Sequence, residues 1–216
     1  MAVSRDSLRL YLVTDPALCP GAGLVSMVRD AVRGGVGFVQ LRDKTASTDA
    51  LIQTALAVKA ALAGSGVPLV INDDLDAAIA ADVDGVHLGQ DDMTPAEARA
   101  RLGRDKIIGL SCETVAQVQG ADPALVDYLG LGTVFPTATK ADHKPAIGFS
   151  GLAALVKASA LPSVAIGGLK RDHAADVMAT GCDGMAVVSA ICGQPDPESA
   201  ARALRTALDA ARGDTR

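Results

Sequence analysis

The sequence predicts a closed parallel (β/α)8 TIM barrel, and three observations carry that prediction. Short runs rich in Val, Ile and Leu alternate with longer Ala-rich stretches of helical period, eight times over. The length of 216 residues is ordinary for one α/β barrel, and no linker or low-complexity tract divides it. The residues with the richest chemistry fall just after the apolar runs, where the strand-to-helix loops of a barrel build its active face. A doubly wound open sheet is the rival, but its Gly-rich first turn is absent. The expected unit is one domain over 1–216, with frayed ends at 1–8 and 212–216.

The expected strands are 10–13, 38–41, 69–71, 85–88, 107–110, 128–132, 163–166 and 185–188. Between them lie helix candidates near 24–34, 48–63, 74–81, 94–102, 114–119, 150–159, 171–180 and 197–212. Thr94-Pro95 ahead of Ala96-Glu97, Asp172, and Pro197-Glu198 mark helix starts, while Gly34-Gly35, Gly64 and Gly181 mark ends. With 49% hydrophobic and only 2% aromatic residues, the core is expected to be Ala, Val, Leu and Ile.

A net charge of −5 argues against a nucleic-acid binder or a basic membrane-surface protein. The four cysteines, Cys19, Cys112, Cys182 and Cys192, have no C-x-x-C or metal-ligand spacing and read as reduced, buried thiols. No signal pattern opens the chain, and no run of about 18 apolar residues occurs, so a soluble cytoplasmic protein is expected. A homo-oligomer is compatible with all of this.

Around that acidic background, local cations stand out. After the second strand, Gln40, Arg42 and Lys44 alternate onto one side as an amide, a guanidinium fork and an ammonium, a grip suited to phosphate. After the third, Asn72 offers an amide to a heterocycle edge, and Asp73 or Asp74 either begins a helix or does chemistry. After the fourth come His87, Gly89, Asp91 and Asp92. One of these two carboxylates, with Asp73 on the neighbouring loop, suits Mg2+, which takes one or two carboxylates plus substrate phosphates and water. His87 reads as a satisfied core histidine rather than a base.

Ser111 follows the fifth strand without the G-x-S-x-G elbow or triad of a nucleophile, so a hydrogen-bonding role is expected, with Cys112 as an apolar filler. After the sixth comes V-F-P-T-A-T-K, residues 134–140. Pro136 restricts the loop, Thr137 and Thr139 carry hydroxyls, and Lys140 carries a mobile cation, the equipment of a loop that folds over an anion. Gly167-Gly168 and Val188-Ser189 follow the last two strands, where barrels often build a phosphate site. The mouth thus divides into two anion sites, which suits two small phosphorylated substrates, one of them a diphosphate.

Gln40-Leu41-Arg42-Asp43-Lys44, Asn72-Asp73, Gly89-Gln90-Asp91-Asp92, Ser111, the 134–140 loop, Ile166-Gly167-Gly168 and Val188-Ser189 together resemble the thiamine phosphate synthase family, in order and over nearly the whole chain. The resemblance implies a (β/α)8 transferase that joins hydroxymethylpyrimidine diphosphate to hydroxyethylthiazole phosphate, or its carboxylated form, with release of pyrophosphate. It implies that Gln40, Leu41, Arg42, Asp43, Lys44, Asn72, Ser111 and Lys140 bind the pyrimidine diphosphate. Thr137, Ala138, Thr139, Gly168, Val188 and Ser189 would bind the thiazole phosphate, and Asp73 and Asp92 would bind Mg2+. Lys140, Arg42 and Ser111 would carry the catalysis. Cys112-Glu113 and Gly132-Thr133 depart from the family pattern, which touches pocket detail and not the reaction class. A thiazole tautomerase, which would need neither the diphosphate grip nor the P-T-x-T-K loop, or a non-catalytic phosphate-binding barrel, which would explain Gly168 and Ser189 but not a two-carboxylate metal site, is the alternative reading.

Overall fold

The computed structural model describes residues 3–19, 23–137 and 146–213. Its strands are β1 (Leu10–Val13), β2 (Phe38–Leu41), β3 (Leu69–Asn72), β4 (Gly85–Leu88), β5 (Ile107–Cys112), β6 (Tyr128–Leu131), β7 (Ser163–Ala165) and β8 (Gly184–Val187). They close in chain order into a barrel, every neighbour parallel and β8 paired back onto β1. The helices are α1 (Gly23–Arg33), α2 (Thr48–Leu62), α3 (Leu75–Ala80), α4 (Pro95–Leu102), α5 (Val115–Gly120), α6 (Gly148–Lys157), α7 (Ala174–Ala179) and α8 (Pro197–Gly213). A 3-10 turn, Arg171–His173, leads into α7, so the helix expected from 171 is split near its start. Among the described residues, no helix is long and apolar enough to cross a membrane.

Strand alternation sorts the side chains into two cores. Leu10, Leu12, Val39, Leu41, Ile71, Leu88, Leu129 and Met185 face outward and pack beneath the helices. Leu8, Tyr11, Phe38, Val70, Ile107, Tyr128, Val164 and Ala186 form the separate interior cluster. That corrects the expectation of an aromatic-free core. Tyr11, Phe38 and Tyr128 meet edge-on or tilted inside the barrel, with ring centroids 4.7, 5.3 and 5.9 Å apart. A low aromatic fraction did not spread the rings evenly; it concentrated three of them where eight converging strands leave the widest space to fill.

Residues 3–8 do not fray as expected. Leu8 is fully buried, Arg5 Nη1 donates to Asp183 Oδ2 at 2.7 Å, and Asp6 pairs with Arg212 of α8 at 3.4 Å. Helix starts follow their sequence signals. Thr94 and Thr114 each close a reciprocal cap with the residue three positions on, Glu97 and Gln117. Asp74 Oδ1 accepts from Ala77 N at 2.8 Å and caps α3. That settles the choice left open between the two aspartates: Asp74 is occupied at the helix, and Asp73 is left for the barrel mouth.

Candidate active site

The C-terminal ends of the strands open into a cavity of about 460 Å3. Gln40, Arg42 and Lys44 line it from β2 and the following loop, Asn72 and Asp73 from β3, and Ser111 from β5. Gly89, Asp91 and Asp92 enter from the loop after β4. A smaller cavity of about 210 Å3 lies alongside, lined by Pro136, Gly168, Leu169, Lys170 and Ser189. Thr137, Gly167, Ala186 and Val188 line both, so the two spaces adjoin. Of the eight described polar residues expected at the diphosphate and metal end, seven (Gln40, Arg42, Lys44, Asn72, Asp73, Asp92, Ser111) therefore share one cavity, and Asp43 does not. Gly168 and Ser189 share the other.

Two of the expected residues keep their side chains away from the cavities. Leu41 has its whole side chain in the outer core, because its parity is opposite to that of Gln40 and Arg42. Asp43 turns back on its own loop, where Oδ1 accepts from Thr45 N at 2.9 Å, Thr45 Oγ1 at 2.8 Å and Ala46 N at 3.1 Å. Neither lines a cavity. Ala138, Thr139 and Lys140 lie outside the described residues.

Asp73 is the strained member of the group. Its φ of 63° lies in the left-handed region that residues with a Cβ seldom adopt, and its N–H donates to His87 O at 2.9 Å. This turns its carboxyl towards Asp92. Burial, then the hydrogen bond and charge of Asp92, push the Asp73 carboxyl up to about 6 from 3.8, against the opposing pull of Lys44 and Asn72. Asp92 Oδ2 accepts from Gly89 N at 2.7 Å, which pins it in place. Two carboxyls held together that resist joint ionisation form a hard-oxygen donor set that a divalent cation relieves. Among the described residues no group of three or more His, Cys, Asp or Glu converges, so the protein's share of such a site is this pair.

The root of the 134–140 loop is held by β7 and its exit. Val134 N donates to Ile166 O at 2.9 Å, Phe135 N to Gly167 O at 3.2 Å, and the Phe135 ring packs on Phe149 and His173 at 5.1 and 4.7 Å. Gly167 and Gly168 have φ of 97° and 64°. A Cβ on Gly168 would stand 2.7 Å from Pro136 O and 2.8 Å from Phe135 Cβ, so this glycine is required for the loop as well as for an open cavity. Gly132-Thr133, one of the two departures, is a cis peptide whose Thr133 lines the larger cavity. At the other, Cys112 is fully buried and its thiol is pushed up to about 12 by burial and Glu113, in keeping with an inert filler.

Residues with no role assigned from sequence also reach the mouth. Tyr11, Glu113 and Gln117 line the larger cavity, and Lys170 the smaller. Gln90 Nε2 donates to Ser111 O at 2.7 Å. Tyr11 shares the inward parity of Val13 on β1, and a phenol at such a position in a chain with two tyrosines was the available signal.

This geometry coincides with what comparison with known proteins shows. The sequence profile of the family described as thiamine monophosphate synthase matches residues 10–191. The thiamine-phosphate synthase of Xanthobacter autotrophicus is 55% identical over 205 residues, spanning 95% of this chain and 97% of that protein. Its counterpart from a Psychrobacter species is 53% identical over 204 residues, spanning 93% and 95%. The solved thiamine phosphate pyrophosphorylase of Pyrococcus furiosus superposes with a TM-score of 0.86 at 35% identity, covering 96% of this chain and 98% of that one. A barrel with these residues at its mouth, and relatives this similar over almost their full length, place the chain in the thiamine monophosphate synthase family.

Proposed function

We propose that the protein condenses hydroxymethylpyrimidine diphosphate with hydroxyethylthiazole phosphate to thiamine phosphate and pyrophosphate, or with its carboxylated form, which also releases CO2. The observation that carries this reading is the pair of adjoining cavities: one holds Arg42, Lys44 and a carboxylate pair, the other glycine backbone, the hydroxyl residues Thr137 and Ser189, and Lys170. Arg42 and Lys44 grip the diphosphate and Asn72 meets the pyrimidine edge; the family resemblance assigns Lys140 to the diphosphate as well. Asp73 and Asp92 would hold Mg2+, which when bound supplies charge neutralisation for a departing diphosphate.

On this reading the carbon–oxygen bond to the diphosphate breaks first, and the pyrimidine amino group delocalises the resulting carbocation. The thiazole nitrogen then attacks with its own lone pair, so no proton leaves the nucleophile. The site's task is to stabilise the leaving group and to align two reactants, which is why cations and positioning groups dominate it. Gly168 N–H and Ser189 Oγ would receive the thiazole phosphate, with Thr137 and Val188 around it, and the family resemblance adds Ala138 and Thr139 to its binding residues.

The test is pyrophosphate release on mixing both substrates with Mg2+. We expect release only when both are present, and its loss on chelation with recovery on re-addition of the ion. Isomerisation of a thiazole without pyrophosphate would show a tautomerase instead, and binding without turnover a sensor.

A further inference from the structure

One unbroken chain of side-chain hydrogen bonds crosses the floor of the larger cavity. Gln40 Nε2 donates to Tyr11 Oη at 2.8 Å, and Tyr11 Oη lies 2.8 Å from Tyr128 Oη. Tyr128 Oη lies 2.8 Å from His87 Nδ1, and His87 Nε2 lies 2.9 Å from Ser111 Oγ. The chain ties β2, β1, β6, β4 and β5 together. Tyr128 is fully buried beneath the cavity and lines no part of it, and Tyr11 is only 1% exposed.

The space for this contact is built into the strand register. Gly109 of β5 pairs with His87 on one side and Tyr128 on the other. A Cβ there would come within 2.5 Å of His87 Nδ1 and run into the Tyr128 phenol. The missing side chain on the middle strand lets the outer two meet across it. Burial also pushes both phenols' pKa values up, so each remains a neutral hydroxyl with one proton to give.

Counting protons gives the chain a direction. Gln40 donates at one end, because an amide nitrogen has no acceptor. Three links remain, among two phenols, one imidazole and one serine hydroxyl, which bring four protons when the imidazole is neutral. One proton is therefore surplus. If His87 carries its proton on Nδ1, the surplus falls on Tyr128, which lines no cavity, or on Tyr11, which borders the cavity but is only 1% exposed, and a buried donor goes unmatched. If Tyr11 donates to Tyr128, Tyr128 to His87 Nδ1, and His87 Nε2–H to Ser111, the surplus is the Ser111 proton. Ser111 is half-buried and faces the cavity.

Building on the two-site reading above, we propose that Tyr128 is a positioning residue: it holds His87 as the Nε2–H tautomer and thereby makes Ser111 a hydrogen-bond donor to the ligand. The substrate atom that Ser111 meets is then an acceptor, such as a ring nitrogen or a phosphate oxygen. Tyr128 does this without touching substrate. His87 thus has a role that neither a base nor an inert core residue would have: it transmits the direction set at the buried phenols to the cavity wall.

The direct test is a two-bond 1H–15N correlation of the imidazoles in the ligand-free protein. Its three histidines make the His87 signal identifiable by its loss in His87→Gln. We expect a single Nε2–H tautomer for His87. Tyr128→Phe is expected to abolish that purity, whereas Tyr11→Phe should retain it, since Tyr128 then has only His87 to donate to. In kinetics, Tyr128→Phe should lower kcat/KM by about tenfold to a hundredfold through misaligned substrate. Affinity for Mg2+–pyrophosphate, which rests on Arg42, Lys44 and the two aspartates, should not change. An Nδ1–H tautomer in the unmodified protein overturns the proposal even if Tyr128→Phe does not fold. So does a folded Tyr128→Phe with unchanged tautomer or unchanged kcat/KM. Absence of pyrophosphate release by the unmodified protein, with the Nε2–H tautomer present, would overturn the reaction assigned above and not the tautomer lock.

Discussion

Asp92→Asn is expected to lower turnover by about a hundredfold or more, because the charge stabilisation assigned to Mg2+ at the leaving group amounts to several kcal/mol. The fold should survive, since the asparagine carbonyl can still accept from Gly89 N–H, as Asp92 Oδ2 does at 2.7 Å. Asp91→Asn should do far less: Asp91 lines the same cavity, but it is Asp92 that meets Asp73. Steady-state rates of both variants at saturating Mg2+ check this, and equal losses would sink the assignment of the ligand to Asp92.

The same substitution has an opposite effect on metal-free stability. The folded Asp73 carboxyl titrates near 6, above its ordinary 3.8, so between these values the folded chain holds a proton that the unfolded chain releases. Stability contributed by this group is present below about pH 4, falls as the pH rises to about 6, and stays lost above it. Removing the Asp92 charge removes part of that loss. In chelator at pH 7, Asp92→Asn should therefore melt higher, by roughly 2–4 °C if the relief is about 1 kcal/mol in a chain of this size. The gain should vanish at pH 4. A variant that is inactive and less stable at both pH values would contradict the picture of a carboxyl pair strained in wait for a cation.

Gly168→Val is expected to be the most damaging single change at the phosphate end. A β-branched residue would have to adopt φ near 64°, and its Cβ would press on Pro136 O and Phe135 Cβ at 2.7 and 2.8 Å. The loop root would have to move, and the smaller cavity would close. Gly168→Ala is the more useful probe, with the same first contact and a smaller backbone penalty. The strain of about 1–2 kcal/mol predicts a melting point lower by roughly 2–8 °C. Thiazole phosphate affinity should fall about tenfold or more, while a non-reactive pyrimidine diphosphate analogue with Mg2+ should bind nearly as before. Titration calorimetry of each ligand separately reads both. Loss of the diphosphate ligand with retention of the thiazole phosphate would mean that the two halves of the mouth are reversed.

The barrel was legible in the order of short apolar runs and Ala-rich helical stretches, because strand and helix periods are local properties of the chain. The strands Leu10–Val13, Phe38–Leu41 and Gly85–Leu88 fall where the pattern puts them. So do the caps at Thr94 and the side-sharing of Gln40 and Arg42, which follow from neighbours within a few residues. The side chains of Leu41 and Asp43 lie away from both cavities, as their own local geometry argues. A motif groups residues by sequence, whereas a strand alternates them between two faces.

What the chain could not disclose on its own are relations between distant positions. Asp74 rather than Asp73 caps α3, and the carboxyl thus released meets Asp92 only because β3 and β4 lie side by side with Asn72 against His87. Tyr11 and Tyr128 are separated by 117 positions, and nothing near either one marks it as a partner of the other. Gly109 looks like any strand glycine until the register sets it between His87 and Tyr128. The sequence by itself determined which elements form and in what order they close; only the tertiary structure decided which polar groups share a buried space, because desolvation and hydrogen-bond matching act between atoms in contact, whatever their distance along the chain.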